Sequence, residues 1–212
     1  MRVRELPILF NIEMVKAILN GRKTCTRRAI KLPDKMTGRP IGKSGDSSNP
    51  LGFFYPGGIK RPPYQPGDIL YVRETWSEIK NADGSHKKYV YKASDQYPFG
   101  ESRYIIKFNW KPSIHMPKEA ARIWLKVTDV RVERLQDITE DGAKEEGANF
   151  KNGKNVGLEE KMRRTAIERF AEIWNSTIKK TDIDRYGWDA NPWVWVIEFE
   201  RCKSRESSSN GY

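Results

Sequence analysis

The stretch "ARIWLKVTDVRVERL", Ala121 to Leu135, constrains the fold more than any other segment. Successive side chains of an extended chain point to opposite faces, so a strand with one buried face shows an apolar residue at every second position. Ile123, Leu125 and Val127 keep that period, and Val130 and Val132 resume it one residue out of step. The slip at Thr128–Asp129 is the mark of a bulge or bend, as where a strand turns a barrel corner. "NPWVWVIEFERC" (191–202) is a second long strand, apolar on both faces and so expected to be buried. "LPILF", "KTCTRRAI", "PGDILYVRETW", "KKYVYKAS" and "RYIIKF" read as shorter strands, with "KTCTRRAI" at an edge. Their spacing is too close for repeated parallel βαβ units. The expected class is α+β, a small, mostly antiparallel β-barrel with flanking helices. Ile123, Leu125, Val127, Trp195, Ile197 and Phe199 are expected inside it.

The helices carry their own punctuation. Asn11 is the expected cap of "IEMVKAILN", which places Ile12, Val15, Ile18 and Leu19 on one face, and Gly21 is its stop. "ITEDGAKEEGA" reads as a short helix capped by Thr139 and ended by Gly147. "GLEEKMRRTAIERFAEIWNSTI" carries a stripe of Leu158, Met162, Ala166, Phe170, Ile173, Trp174 and Thr177, which core packing explains. Between Lys31 and Pro66 the chain is rich in Pro, Gly, Ser and Asn and shows no helical or strand period. This is read as a flexible insertion at about 31–66, weakly ordered between Lys35 and Lys60 and able to close over an anionic ligand. Residues 1–203 are read as a single domain, followed by a polar tail at 204–212 that has nothing to bury.

Charge narrows the partner. Lys and Arg number 39 against 28 Asp and Glu, a formal net charge of +11, which favours nucleic acid or an anionic nucleotide. The same balance also suits a basic protein that binds neither. No apolar run reaches the length of about 20 residues needed to cross a bilayer, and no signal peptide opens the chain, so a soluble, cytoplasmic protein without a membrane partner is expected. Cys25 and Cys202 are the only cysteines, and His86 and His115 the only histidines. Neither pair has the spacing of a metal site, so no metal and no cofactor is expected. Catalysis would have to rest on Lys, Thr, Ser, Glu, Asp or Tyr.

Four segments in order, "ILNGRKTCTRR", "PGDILYVRETW", "LKVTDVRVERLQDITEDGAKEEGA" and "NPWVWVIEFE", resemble the activating-signal-cointegrator homology (ASCH) domain, a PUA-like β-barrel family. The resemblance is greatest to phage- and prophage-borne members, which also carry the "WKPSIHMPKEAARI" element, and it covers most of the chain outside the 31–66 insertion and the tail. It implies a cleft that accepts RNA, a nucleotide or a modified nucleoside, and the expected partner is RNA, single-stranded nucleic acid or a modified nucleoside. Small bacterial members include amidohydrolases that deacetylate acetylated cytidine with a lysine and a threonine after the first helix and a glutamate in a later short helix. "GRKTCT" supplies Lys23 and Thr26 at those positions, and "ITEDGAKEEG" supplies Glu146. Other members are ribonucleases or RNA-binding modules.

Deacylation needs a nucleophile, a base and a donor for the leaving amine. Thr26 can attack or position a water. Lys23 can act as base if burial and the positive neighbours Arg22, Arg27 and Arg28 favour its neutral form, and Glu146 can shuttle a proton or hold the cytosine amine. On a regular strand residues three apart face opposite ways, so Lys23 and Thr26 converge only if Lys23 still lies in the turn after Gly21. Arg22, Arg27 and Arg28 are candidate phosphate ligands, although the stem of one could instead cover apolar surface. Arg73 and Glu74 either bracket the cleft or form a surface ion pair, and Trp76 is a candidate stacking platform, with Trp110 and Trp188 behind it. A nucleophilic Cys25 is disfavoured, because no histidine stands near it in sequence. Two functional classes follow, a hydrolase of acylated cytidine or of RNA, and a non-catalytic nucleic-acid reader. A phage assembly protein that meets DNA is the weaker third.

Overall fold

The computed structural model describes residues 3–33, 36–80, 86–94, 108–148 and 165–204. Residues 103–107 of the strand expected at 103–108, Leu158 and Met162 of the expected helical stripe, and the tail beyond 204 lie outside these. The fold is mixed α+β, and the chain divides into two compact units, one of residues 1–21, 68–126 and 201–212, the other of 22–67 and 127–200.

In the first unit, strand β1 (Glu5–Leu9) runs parallel to a later strand (Ile69–Arg73), in register from Glu5 opposite Ile69 to Leu9 opposite Arg73. A parallel pair needs a crossover, and α1 (Ile12–Leu19) begins it. Its Asn11 cap accepts a hydrogen bond from the Met14 amide at 2.9 Å, and Gly21 ends it at φ 69°, as its sequence predicts. The Ile69–Arg73 strand pairs on its other side, antiparallel, with the start of the long strand Trp124–Arg134, Leu70 lying opposite Leu125. Trp76–Lys80 and His86–Tyr91 form an antiparallel pair of their own. The Pro-bounded "WKPSIHMPKEA" segment forms two short 3-10 turns, Ser113–His115 and Lys118–Ala120, each entered from a proline, and buries Met116 and Ala120 against Trp76.

In the second unit, β2 (Cys25–Ala29) pairs antiparallel with the closing strand Trp193–Cys202, Cys25 opposite Glu198 and Ala29 opposite Val194. The closing strand lies between β2 and the long Trp124–Arg134 strand, which leaves β2 at an edge. Among the described residues three helices follow: α2 (Glu140–Glu145), α3 (Ala166–Thr177) and α4 (Ile183–Tyr186). Leu135, Ile138, Ala143, Phe170, Trp174, Val194 and Val196 form the core beneath them.

Numbering the remaining strands in chain order makes β3 Arg39–Ile41, β4 Gly52–Tyr55, β5 Gly58–Lys60, β6 Ile69–Arg73, β7 Trp76–Lys80, β8 His86–Tyr91, β9 Trp124–Arg134 and β10 Trp193–Cys202. The phase slip is present in β9: Leu125 and Val127 are buried, then Val130, with Thr128 exposed. All six expected core residues are buried. The described strands form open sheets, with no closed barrel among them.

The irregular insertion expected at 31–66 is corrected. β3, β4 and β5 form a three-stranded antiparallel sheet within it. Phe53 of the central strand is fully buried and tilts against the Trp193 ring at 5.7 Å between centroids. Glycine here permits close packing as well as turning. A Cβ on Gly38 would lie 2.4 Å from the Phe53 ring, and Gly42, at φ 69°, would place one 2.3 Å from the Pro50 carbonyl oxygen. The sequence signal was "FFYPGGIK", two short strands joined by the two-residue turn Pro56–Gly57.

Candidate active site

The site is built where the chain leaves the turn after Gly21. Thr24 donates its amide to the Glu145 carbonyl at 2.9 Å and accepts from the Phe199 amide at 2.8 Å, which fixes the entry into β2. Lys23 therefore precedes the strand and forms an isolated bridge with Glu146. Glu146 is the C-cap of α2, because the Thr139 side chain caps the other end and Gly147 leaves the helix at φ 87°. Carbonyls at a helix C-terminus lack amide partners and attract cations. The Lys23 ammonium donates to the Glu146 carbonyl at 3.0 Å and to its carboxylate Oε2 at 2.5 Å. Lys23 is 2% exposed and Glu146 9%, so the pair is almost dry.

Arg27 completes the cluster. Its guanidinium reaches Glu146 Oε1 at 3.4 Å, Glu133 Oε2 at 3.3 Å and Cys25 Sγ at 3.7 Å, and lies 6.0 Å from the centre of the Phe170 ring. Arg131 joins Glu133 to Glu198. The result is a chain of alternating charge, Lys23, Glu146, Arg27, Glu133, Arg131, Glu198, in which each carboxylate touches two cations except the last. Burial pushes the Cys25 thiol up to about 12, and the Glu146 carboxylate adds to the shift against Lys23 and Arg27. At neutral pH the group is a thiol, which removes the electrostatic case for a nucleophilic Cys25.

Cys25 and Arg27 contact α2 and its cap, and strand alternation puts Thr26 and Arg28 on the other face of β2. Thr26 is buried. Lys23 and Glu146 are thus brought together across 123 residues of sequence, while no hydrogen bond joins Thr26 to either. Arg22 and Arg28 are half-buried, and burial lowers the Arg28 pKa from its ordinary value. Arg27 as an exposed phosphate ligand is corrected: it is buried and engaged by two carboxylates.

Arg73, Glu74 and Trp76 belong to the first unit, where Arg73 and Glu74 turn to different partners. Glu74 is 1% exposed and accepts two bonds, at 2.8 and 2.9 Å, from the Arg122 guanidinium. Arg122 also donates to Ser94 Oγ at 2.9 Å and lies 4.1 Å from the centre of the Tyr91 ring. Tyr91 donates its hydroxyl to the Ala120 carbonyl at 2.6 Å, and burial pushes the phenol up to about 12 against the pull of Arg122. Arg73 donates to the Met116 carbonyl at 2.7 Å. Trp76 as a stacking platform is corrected as well, because its ring is buried with Met116 and Ala120 and the Lys111 ammonium lies 4.7 Å from its centre. Trp188 packs against Phe170 and Trp110 against Phe108.

Sequence reasoning missed Arg122, Arg131 and Glu133. The last two are legible in retrospect, because residues two apart share a strand face. Arg122 has no such signal. Among the described residues no three His, Cys, Asp or Glu side chains gather as a metal site would require. Compared with protein-family models, curated proteins and solved structures, the chain matches none.

Proposed function

We propose that the chain is an ASCH-type, PUA-like protein that acts on RNA, nucleotides or modified nucleosides, with the Lys23–Glu146 pair as the reacting centre of an amidohydrolase on acylated cytidine. One observation carries the reading: an ammonium and a carboxylate 2.5 Å apart, both nearly excluded from water. Burying an ion pair is a poor way to gain stability, because desolvation offsets the attraction. A proton can pass between groups this close, which is what amide hydrolysis demands. A water oxygen attacks the acyl carbon as the pair accepts its proton. That proton then passes to the exocyclic nitrogen as the C–N bond breaks, giving a carboxylic acid and cytidine. The opposite-face position of Thr26 favours water over its hydroxyl as the attacking group.

The test is mass spectrometry of a panel of acylated cytidines and short RNAs. Lys23→Met and Glu146→Gln are expected to lower turnover at least about 100-fold, and Thr26→Ala less. Loss in the Thr26 variant equal to the other two would make its hydroxyl the nucleophile. The second reading, a non-catalytic reader of nucleosides or RNA, draws on the saturation of Glu146 by both Lys23 and Arg27. Absence of turnover by the parent protein, with binding impaired by the same substitutions, selects it.

A further inference from the structure

The small sheet β3–β4–β5 shares no residue with the Lys23 site. Phe53 of its central strand points inward, so alternation turns Phe54 outward. The register places Arg39 beside Phe54 on one side and Ile59 on the other. Phe54 is 45% exposed and Ile59 48%, and the Arg39 guanidinium lies 5.9 Å from the centre of the Phe54 ring. Single exposed apolar residues are ordinary on protein surfaces. A cross-strand row of cation, aromatic and aliphatic residues on one exposed sheet face is more specific.

The charge around this row is one-sided. Arg39, Lys43 and Arg61 form no ion pair among the described residues, and the bonds of Arg61 go to backbone carbonyls, while Lys60, opposite Phe53, lies on the other face. Asp46 is the only carboxylate between residues 36 and 67, and it is taken up by the Ser48 hydroxyl and the Ser48 and Asn49 amides. An apolar partner protein would gain nothing from three uncompensated cations. A polyanion that carries flat rings matches both features, and only an unpaired base offers its face to an aromatic side chain.

We propose that this face binds single-stranded RNA, one base stacking on Phe54 beside Ile59 while Arg39, Lys43 and Arg61 hold the neighbouring phosphates. The choice of RNA rests on the reading of the Lys23 site; the single-stranded, base-stacking mode rests on the sheet alone. The experiment is fluorescence anisotropy of a labelled 12-nucleotide single-stranded RNA (a probe length of about the usual single-strand site size) with the full chain. Phe54→Ala is expected to weaken binding roughly 5- to 150-fold, with Phe54→Trp restoring it. Arg39→Ala is expected to reduce the salt slope by about one phosphate contact. Because both side chains are exposed, circular dichroism should be unchanged. Turnover of a single acylated nucleoside by Lys23→Met and Glu146→Gln is read separately, so that failure of the Lys23 reading and failure of this one are distinguishable. Unchanged affinity in Phe54→Ala overturns the proposal, as does equal affinity for the duplex form of the RNA. A shift from dimer to monomer on sedimentation, with RNA binding untouched, also overturns it and assigns the face to a second copy of the chain.

Discussion

Lys23 holds its ammonium in a nearly dry setting, and the cost of that arrangement falls on whichever neighbour is removed. Glu146 is the shared partner of Lys23 and Arg27. Glu146→Leu removes the carboxylate that both buried cations share and is expected to cost about 3–5 kcal/mol in urea unfolding. Lys23→Met leaves Arg27 in place for Glu146, so a smaller loss is expected. Equal losses would mean that Arg27 contributes nothing to holding the carboxylate. The titrating groups make a second claim. Cys25 stands at about 12 in the folded chain against 9.0 when exposed, and Tyr91 at about 12 against 10.0. Both shifts are upward, so folding favours the protonated forms. Their stabilising effect is full below about pH 9 for the thiol and pH 10 for the phenol, and is lost as pH rises toward 12. Unfolding midpoints measured from pH 7 to 11 should therefore fall on the alkaline side. At pH 8 a thiol reagent should label half-buried Cys202 well before Cys25.

Elements differ in how much their glycines bear. Gly21 and Gly42 share φ 69°, yet a Cβ at Gly21 meets nothing within 4 Å while one at Gly42 would lie 2.3 Å from a backbone oxygen. Gly21→Ala is expected to cost only the left-handed backbone penalty, about 1–2 kcal/mol. Gly42→Ala should cost clearly more, since the obstacle is backbone and cannot swing aside. Thermal unfolding of the two variants side by side measures the difference. Phe53→Ala tests whether β3–β5 is held as a packed element, with an expected loss of about 3–5 kcal/mol. Helix α3 opens with a reciprocal cap, in which Thr165 accepts from the Glu168 amide and Glu168 from the Thr165 amide. Thr165→Ala should cost about 1 kcal/mol. "TAIE" shows that cap in the sequence, whereas the β3–β5 sheet is hidden there behind prolines and glycines that usually mark loops.

For the whole chain, a net charge of +11 predicts that affinity for any nucleic acid falls steeply with salt. The positive charge is not evenly available, because Arg27 and Arg122 face buried carboxylates while Arg39 and Arg61 do not. Replacing Arg27 should act on stability, and replacing Arg39 on the salt slope. Comparing unfolding with salt-dependent binding for the two variants separates these expectations.

The periods and caps of this chain were legible from sequence because they are local. The alternation in β9 and its slip at Thr128, the Asn11 and Thr139 caps, and the stops at Gly21 and Gly147 each follow from backbone geometry within a few residues. Lys23 and Glu146 could be named only through resemblance, and their meeting across 123 residues was settled by the pairing of Lys23 with the end of α2. Arg27 and Trp76 looked like ligands for RNA because exposure cannot be read from residue type. Packing against Phe170 and Met116 put both inside. Which charges meet water is decided by contacts between distant segments, and those have no period that a sequence can display.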